Sequence, residues 1–594
     1  MSPRIMLILP PPFDMENSWR SICRPALLVN ESYGTSPLPA KGPGSSYRVR
    51  RLAPQNLDSE LNELVKEIIQ PWLNGCLKDH PECRTTSGDE TSNYPKRLIF
   101  VGNSNGDTLK LVEIGTQRPP YLILSYCWGS TNASARTTYR NLQARLDRMD
   151  LSKLPRTVQD AIKLTRNMGK EYIWIDALCI EQAEDDQPGD WDNEASKVGD
   201  YYANAECLIS AMRASESAQG FLTERASWRY PQRRALLVYG ETWCHREEIS
   251  FWADGPDQTF WYEKESEPLH KRGWCLQERI LCPRRLHWTK NGLFWECNTA
   301  EKSEQEPFSG NFPFEYISPL LEVYPRPVTI LRKDKSEALL KDWCLLTKDY
   351  SHMKLSYEKD RFAAIHGIAT RLAKRHNDTY YAGVFGSQLA SGLLHVDEHA
   401  SREIPGSSDS PICFPTWSWA AAWRGVEWPW STYNPGRVSL VELVGFPPVP
   451  QSSVQTDFTQ LDSRKLRIKA PLVRIFPNGN FVKDNVGWVY VSLKIRICKT
   501  AELEEDLDLG LYSKISIKFD PRSITEPKEG MPIPDLFAVI LLYDNWYYGL
   551  YGIILHKGYM DNKELYTREG VLYIDGIPTS AVESGLWRSE LTLV

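Results

Sequence analysis

The chain has 594 residues, of which 42% are apolar and 25% charged, the make-up of a globular protein with several cores rather than of a disordered one. Its 70 Lys and Arg against 76 Asp and Glu leave a net charge of -6. That balance supplies no basic field for a phosphate backbone and excludes bulk nucleic-acid binding. The 21 Trp, with 28 Tyr and 18 Phe, point to aromatic-heavy cores or grooves.

Residues 5–9 form an apolar run too short for a secretory leader, and it meets Pro10, Pro11 and Pro12 at once. The segment PLPAKGPGSS (38–47) carries no core-forming pattern. Leu61, Leu64, Val65, Ile68 and Ile69 then repeat at helical spacing and predict a helix over 61–73. Behind it stands C-x3-H-x2-C, formed by Cys76, His80 and Cys83. The spacing is close to that of metal ligands, but a structural zinc needs four, and no fourth stands nearby. The three read as two structural thiols and a surface histidine, and no metal is assigned.

From residue 96 the pattern becomes α/β. Strands are expected at 98–101, 121–126, 172–175 and 207–211. One helix carries the stripe Val158, Ala161, Ile162, Thr165 and Met168 and stops at Gly169; another, over 191–205, starts behind Asp190 as its cap. Strand, helix, strand in alternation predicts parallel pairing. Residues 301–435 lean helical, with Leu339, Trp343, Leu346 and Tyr350 on one face and Phe362, Ile365, Ala369 and Leu372 on another. From 436 the period falls to two, as in 466–469 and 493–497, and the aromatic run Trp546, Tyr547, Tyr548 also suits strands. A β-rich module follows, sandwich or barrel. The longest apolar run, 536–543, ends at Asp544, short of the ~20 residues of a membrane span. The 13 Cys are odd in number and scattered, as free thiols are, and an intracellular, cytoplasmic protein is expected.

In an open parallel sheet, ligands collect beyond the carboxyl ends of the strands. Ser125, Tyr126, Cys127 and Trp128 fall at one such end and Asp176 at another. Spacing alone also allows Ser125 and Asp176 to be plain helix caps. Neither G-x-x-x-x-G-K-[ST] nor a strand-linked G-x-G-x-x-G occurs, which removes P-loop NTPases and dehydrogenases. A hydrolase using Cys179 with His287 as base lacks any elbow motif. Arg272, Gln277, Glu278 and Arg279 suit an internal ion-pair network; the alternative sends Arg272 or Arg279 to a pyrophosphate. Trp417, Trp419, Trp423, Trp428 and Trp430 suit a packed seam better than a ligand groove.

YLILSYCWG (121–129) resembles the opening motif of the fungal heterokaryon-incompatibility (HET) domain. LPRTVQDAI (154–162), YIWIDALCIEQ (172–182) and the set Glu194, Tyr202, Ala205 resemble its central motif; RGWCLQERIL (272–281) with FWEC (294–297) resembles its closing one. The chain departs at Ala183, Val198 and Cys275, where Asp, Met and Thr are frequent in the family. The resemblance extends to DRFAAIHGIA (360–369), YYAGVF (380–385), PTWSWA (415–420) and the tail near 547–574.

What the resemblance implies is an effector of non-self recognition and programmed cell death, activated by protein partners or self-association. It also implies an α/β fold, a flavodoxin/TIR-like parallel sheet with helices. Some TIR domains cleave NAD with one Glu, which makes NAD or a related nucleotide the implied substrate and Glu194, after Trp191, the catalytic residue. Nicotinamide leaves as a neutral group, so one carboxylate stabilising an oxocarbenium-like transition state suffices. Ser125, Tyr126, Trp128 and Asp176 would shape the binding pocket. The alternative is a non-catalytic interaction adaptor in intracellular signalling. The expected organisation is an extension (1–95), the HET domain (96–300), a helical region (301–435) and a β-rich region (436–594).

Overall fold

The computed structural model describes residues 52–84, 93–102, 108–185, 187–224, 238–239, 244–245, 266–290, 292–304, 336–398, 414–422, 425–429, 437–447, 458, 460–477, 482–483, 488–491, 493–498, 504–507, 515–520, 536–545, 547–560, 563–575, 577 and 588–594. The apolar run at 5–9, the segment 38–47, Trp423, Trp430 and Trp546 lie outside them. Two compact units divide the chain. The first takes Met1–Trp191, Ala203–His270 and Cys282–Tyr316; the second takes Asp192–Tyr202, Lys271–Leu281 and Ile317–Val594.

In the first unit, α1 (Leu57–Leu64), a π-helical stretch (Val65–Ile69) and α2 (Gln70–Asp79) run on as one arm. Leu61, Leu64, Val65, Ile68, Ile69, Trp72, Leu73 and Cys76 are its buried stripe, the three-and-four spacing that puts side chains on one face. The arm therefore outruns the helix expected over 61–73 at both ends.

Beside it lies one mixed sheet. Its strands are β1 (Arg97–Phe100), β2 (Lys110–Glu113), β3 (Leu122–Ser125), β4 (Tyr172–Trp174), β5 (Cys207–Ser210), β6 (Arg284–Trp288), β7 (Leu293–Cys297) and β8 (Glu301–Ser303). They lie in the order β8-β7-β6-β5-β3-β4-β1-β2. β3 pairs in parallel with both β4 and β5, and β5 in parallel with β6. The flanking pairs are antiparallel. The 98–101 segment is thus a strand, as expected, but not a parallel one: β1 turns straight back into β2 and runs opposite to β4. A parallel return takes a dozen or more residues, and the connection to β2 is shorter than that.

The helix α3 (Arg156–Asn167) joins β3 to β4 and ends where Gly169 takes a φ of +69°, a conformation that favours glycine. The helix expected over 191–205 is instead two short ones, α4 (Trp191–Glu194) and α5 (Val198–Asn204). Asp190, expected as the helix cap, pairs with the buried Arg97 and, at 3.4 Å, with Lys96.

In the second unit, α6 (Gly273–Leu281) packs with α8 (Ala363–His376), and α7 (Ser336–Ser351) buries Leu339, Trp343, Leu346 and Tyr350. A Cβ on Gly199 would stand 3.2 Å from the Gly367 Cα and 3.1 Å from Leu281, so two glycines permit the close crossing of α5 and α8. Trp417 and Trp419 are fully buried; their indole N–H groups donate to the carbonyls of Arg464 and Gly383. They are packed interior rather than the lining of a groove.

The β-rich part holds β9 (Leu466–Pro477), β10 (Leu536–Asp544), β11 (Gly549–Met560), β12 (Lys563–Ile574) and β13 (Arg588–Leu593). Pairing runs β12-β11-β10-β9-β13 and returns to β12. The ring closes, a barrel-like solution that pairs the strand edges.

Candidate functional site

The parallel strands end at one rim. Ser125, the last residue of β3, pairs across with Ser210 of β5, and both are buried. The chain leaves β3 through Tyr126 and Cys127, which are also buried, and surfaces at the part-exposed Trp128. Gly129 follows with a φ of +62°, and a Cβ there would collide with Glu216 at 2.4 Å. The loop is stitched to the one after β5: Ala211 N–H donates to Ser125 O at 3.0 Å and Ser217 N–H to Trp128 O at 3.2 Å.

Asp176 opens the helical turn Asp176–Cys179 after β4. Its Oδ2 accepts the Trp128 indole N–H at 2.9 Å and its Oδ1 the Ala177 N–H at 2.7 Å. The structure therefore brings Trp128 and Asp176 together, both part-exposed. Tyr126 turns inward, and its hydroxyl donates to Asn132 Oδ1 at 3.1 Å.

Beneath the rim, the RTVQD motif has a plain structural task. Asp160 Oδ2 accepts the N–H groups of Phe221 and Leu222 at 2.8 and 3.0 Å, and Oδ1 takes Arg156 Nε at 3.0 Å. Thr157 N–H donates to Ser217 O at 2.9 Å, and its hydroxyl accepts the Gly220 N–H at 3.1 Å. Burial pushes the Asp160 carboxyl above its ordinary range, against the pull of those donors. One helix face thus clamps the loop that in turn holds Trp128.

Glu194 belongs to the second unit. The Tyr201 hydroxyl donates to its Oε2 at 2.6 Å and Lys197 Nζ to its Oε1 at 3.0 Å. Its residue exposure is 7%, so both oxygens are engaged in a nearly closed setting. In the same unit, Gln277 Oε1 accepts the Gly367 N–H at 2.6 Å.

The two residues of the hydrolase reading are each engaged otherwise. His287 Nε2 lies 2.9 Å from Glu296 Oε2 on the neighbouring strand, both fully buried. Burial pushes the Cys179 thiol up to about 12, which leaves it protonated and unreactive at neutral pH.

The residue that spacing could not supply is Cys297, at the end of β7. Its sulfur, those of Cys76 and Cys83, and a ring nitrogen of His80 all lie within 4.8 Å of one another. The three cysteines are buried and His80 is part-exposed. Hydrogen bonds to Cys297 and Cys83 push the Cys76 thiol up, with burial adding to it, while hydrogen bonds from Cys297 and Cys76 pull Cys83 down. The only sequence hint was FWEC (294–297), whose cysteine stands far from the C-x3-H-x2-C run.

Residues 121–278 match the family model described as Heterokaryon incompatibility protein (HET). Neither a curated protein nor a solved structure matches the chain. The match opens on the first residue of YLILSYCWG and closes inside RGWCLQERIL, so it spans the rim, the Asp160 clamp and Glu194. Residues 121–278 thus carry a heterokaryon incompatibility (HET) domain.

Proposed function

We propose that the protein is an effector of fungal non-self recognition that drives programmed cell death, with 96–300 as its effector domain. The HET match over residues 121–278 carries this reading. The strand order β6-β5-β3-β4 supports the flavodoxin/TIR-like view of the core. Chain order departs from β3 in both directions, which makes the carboxyl end of β3 a switch point, where open α/β sheets take their ligands. Trp128 offers a ring face there and Asp176 a fixed acceptor, a pairing suited to a nucleotide such as NAD.

Within that reading Glu194 is the catalytic carboxylate. To act, it has to exchange its bonds to Tyr201 and Lys197 for the substrate. The same two bonds favour a second reading, in which Glu194 is a structural ion pair and the protein is a non-catalytic adaptor.

Expression of the full chain in a fungal host, scored for viability and NAD content, separates them. The enzymatic reading expects death with NAD loss, and Glu194→Gln, which keeps a hydrogen-bonding group, abolishing both. Death that persists unchanged in Glu194→Gln with NAD intact leaves the adaptor. Full viability of cells making the wild-type chain at high level overturns the effector reading itself.

A further inference from the structure

We infer that Cys76, His80, Cys83 and Cys297 form a closed structural zinc site, an assignment independent of what the HET domain does. Three elements deliver the ligands. Cys76 ends the buried stripe of the arm, three residues before the end of α2. His80 and Cys83 flank and close the 3-10 turn Pro81–Cys83, where Cys83 N–H donates to His80 O at 3.1 Å. Cys297 stands at the tip of the β7–β8 hairpin, 217 residues beyond His80, with its sulfur 3.4 Å from His80 Nδ1.

The geometry fits the ion. Two thiolates about 2.3 Å from a tetrahedral zinc stand about 3.8 Å apart, so a set already within 4.8 Å needs only a small contraction. The donor set fits as well. Three sulfurs and one imidazole nitrogen are a soft, four-membered set of the kind that selects zinc over calcium or magnesium. With four protein ligands no position stays open for water or substrate, which makes the site structural.

The surroundings are arranged to hold it. Ala300 N–H donates to Cys297 Sγ at 3.2 Å, and Thr299 Oγ1 lies 3.6 Å from Cys83 Sγ. Donors aimed at sulfur offset the charge of a thiolate-rich site. Behind them Arg284 Nη2 donates to Cys83 O at 2.6 Å, and Asn298 bridges the Glu82 carbonyl to Arg285 at 3.3 and 3.2 Å. A disulfide between any two of the cysteines would leave the third and the histidine unexplained.

The test measures zinc in the full-length chain, expressed with added zinc and purified without chelator. One zinc per chain is expected, released by a mercurial thiol reagent in step with the modification of three buried thiols. Cys297→Ser is expected to bring the content below about a tenth of a zinc per chain, because ligand loss undoes coupled folding and binding. Should that variant fail to fold, the part-exposed His80 supplies the cleaner pair. His80→Ala is expected to weaken zinc binding more than ~100-fold, beyond the ~10–100-fold cost of outer-shell changes, and His80→Cys to retain the ion. A zinc-free wild-type chain, zinc held equally tightly by His80→Ala, or a disulfide joining two of the three cysteines in unreduced protein would each overturn the site.

Discussion

At the carboxyl ends of β3 and β4, Trp128 and Asp176 sit part-exposed on neighbouring strands, 48 residues apart in the chain; at the tip of the β7–β8 hairpin, buried thiols meet from opposite ends of the unit. Trp128 and Asp176 are joined by one hydrogen bond between neighbouring strand ends, and each side chain still faces water. Cys76, Cys83 and Cys297 have almost no exposure, and their partners come from a helical arm and a hairpin. The first arrangement leaves both side chains partly open to solvent. The second is a clasp that ties two segments together. The lesson is that exposure and donor count separate an open rim from a closed cluster more sharply than residue type does.

That contrast predicts unequal penalties. The largest belongs to the clasp: Cys83→Ser, or prolonged chelation of the wild type, should cost about 3–5 kcal/mol of stability, the scale of losing a native cross-link. Thermal unfolding with and without added zinc reads it. A loss under about 1 kcal/mol would put the clasp among ordinary buried contacts. Next comes the clamp beneath the rim. Asp160→Ala leaves the buried N–H groups of Phe221 and Leu222 without their acceptor, at about 1–3 kcal/mol each less what is regained by not burying a carboxylate. Urea unfolding should show a net loss of about 2–4 kcal/mol. The rim itself should be the mildest: Trp128→Phe keeps the ring and removes the donor to Asp176, for about 1 kcal/mol or less. If Trp128→Phe proves as costly as Asp160→Ala, the rim is framework and not a binding surface.

How much of this was legible depends on how far apart the cooperating residues stand. The stripe from Val158 to Met168 and the face Leu339, Trp343, Leu346 and Tyr350 are local, so periodicity alone places their helices. The motif runs put Trp128 and Asp176 at strand ends for the same reason. Strand direction is less local: β1 reads as a good strand, but the quick return into β2 turns it antiparallel. The partner of Asp190 is also non-local, since Arg97 reaches it from a distant strand. Cys297 is the extreme case. No spacing rule joins it to Cys76, His80 and Cys83, since only folding carries it across the intervening chain. Ring closure in the β-rich part hides likewise, as it rests on β13 meeting both β9 and β12.

The smallest expected effect is a pH dependence of the clamp, and it separates burial from charge pairing as the dominant force on Asp160. Burial raises its carboxyl above the ordinary value of 3.8 in the folded chain, so between 3.8 and the folded value the native state binds more proton than the unfolded one. Stability from this group is therefore greatest in acid, falls as pH rises through that window, and is level above it. Subtracting the unfolding curves of Asp160→Asn from those of the wild type isolates the term, because other carboxylates cancel. The wild type should hold its advantage most strongly near the acid end and lose part of it toward neutrality. The reverse slope, an advantage that grows with pH, would mean that Arg156 and the two backbone donors outweigh burial. The clamp would then be an ion pair that prefers its charge, and the loop beneath Trp128 would loosen in acid instead of tightening.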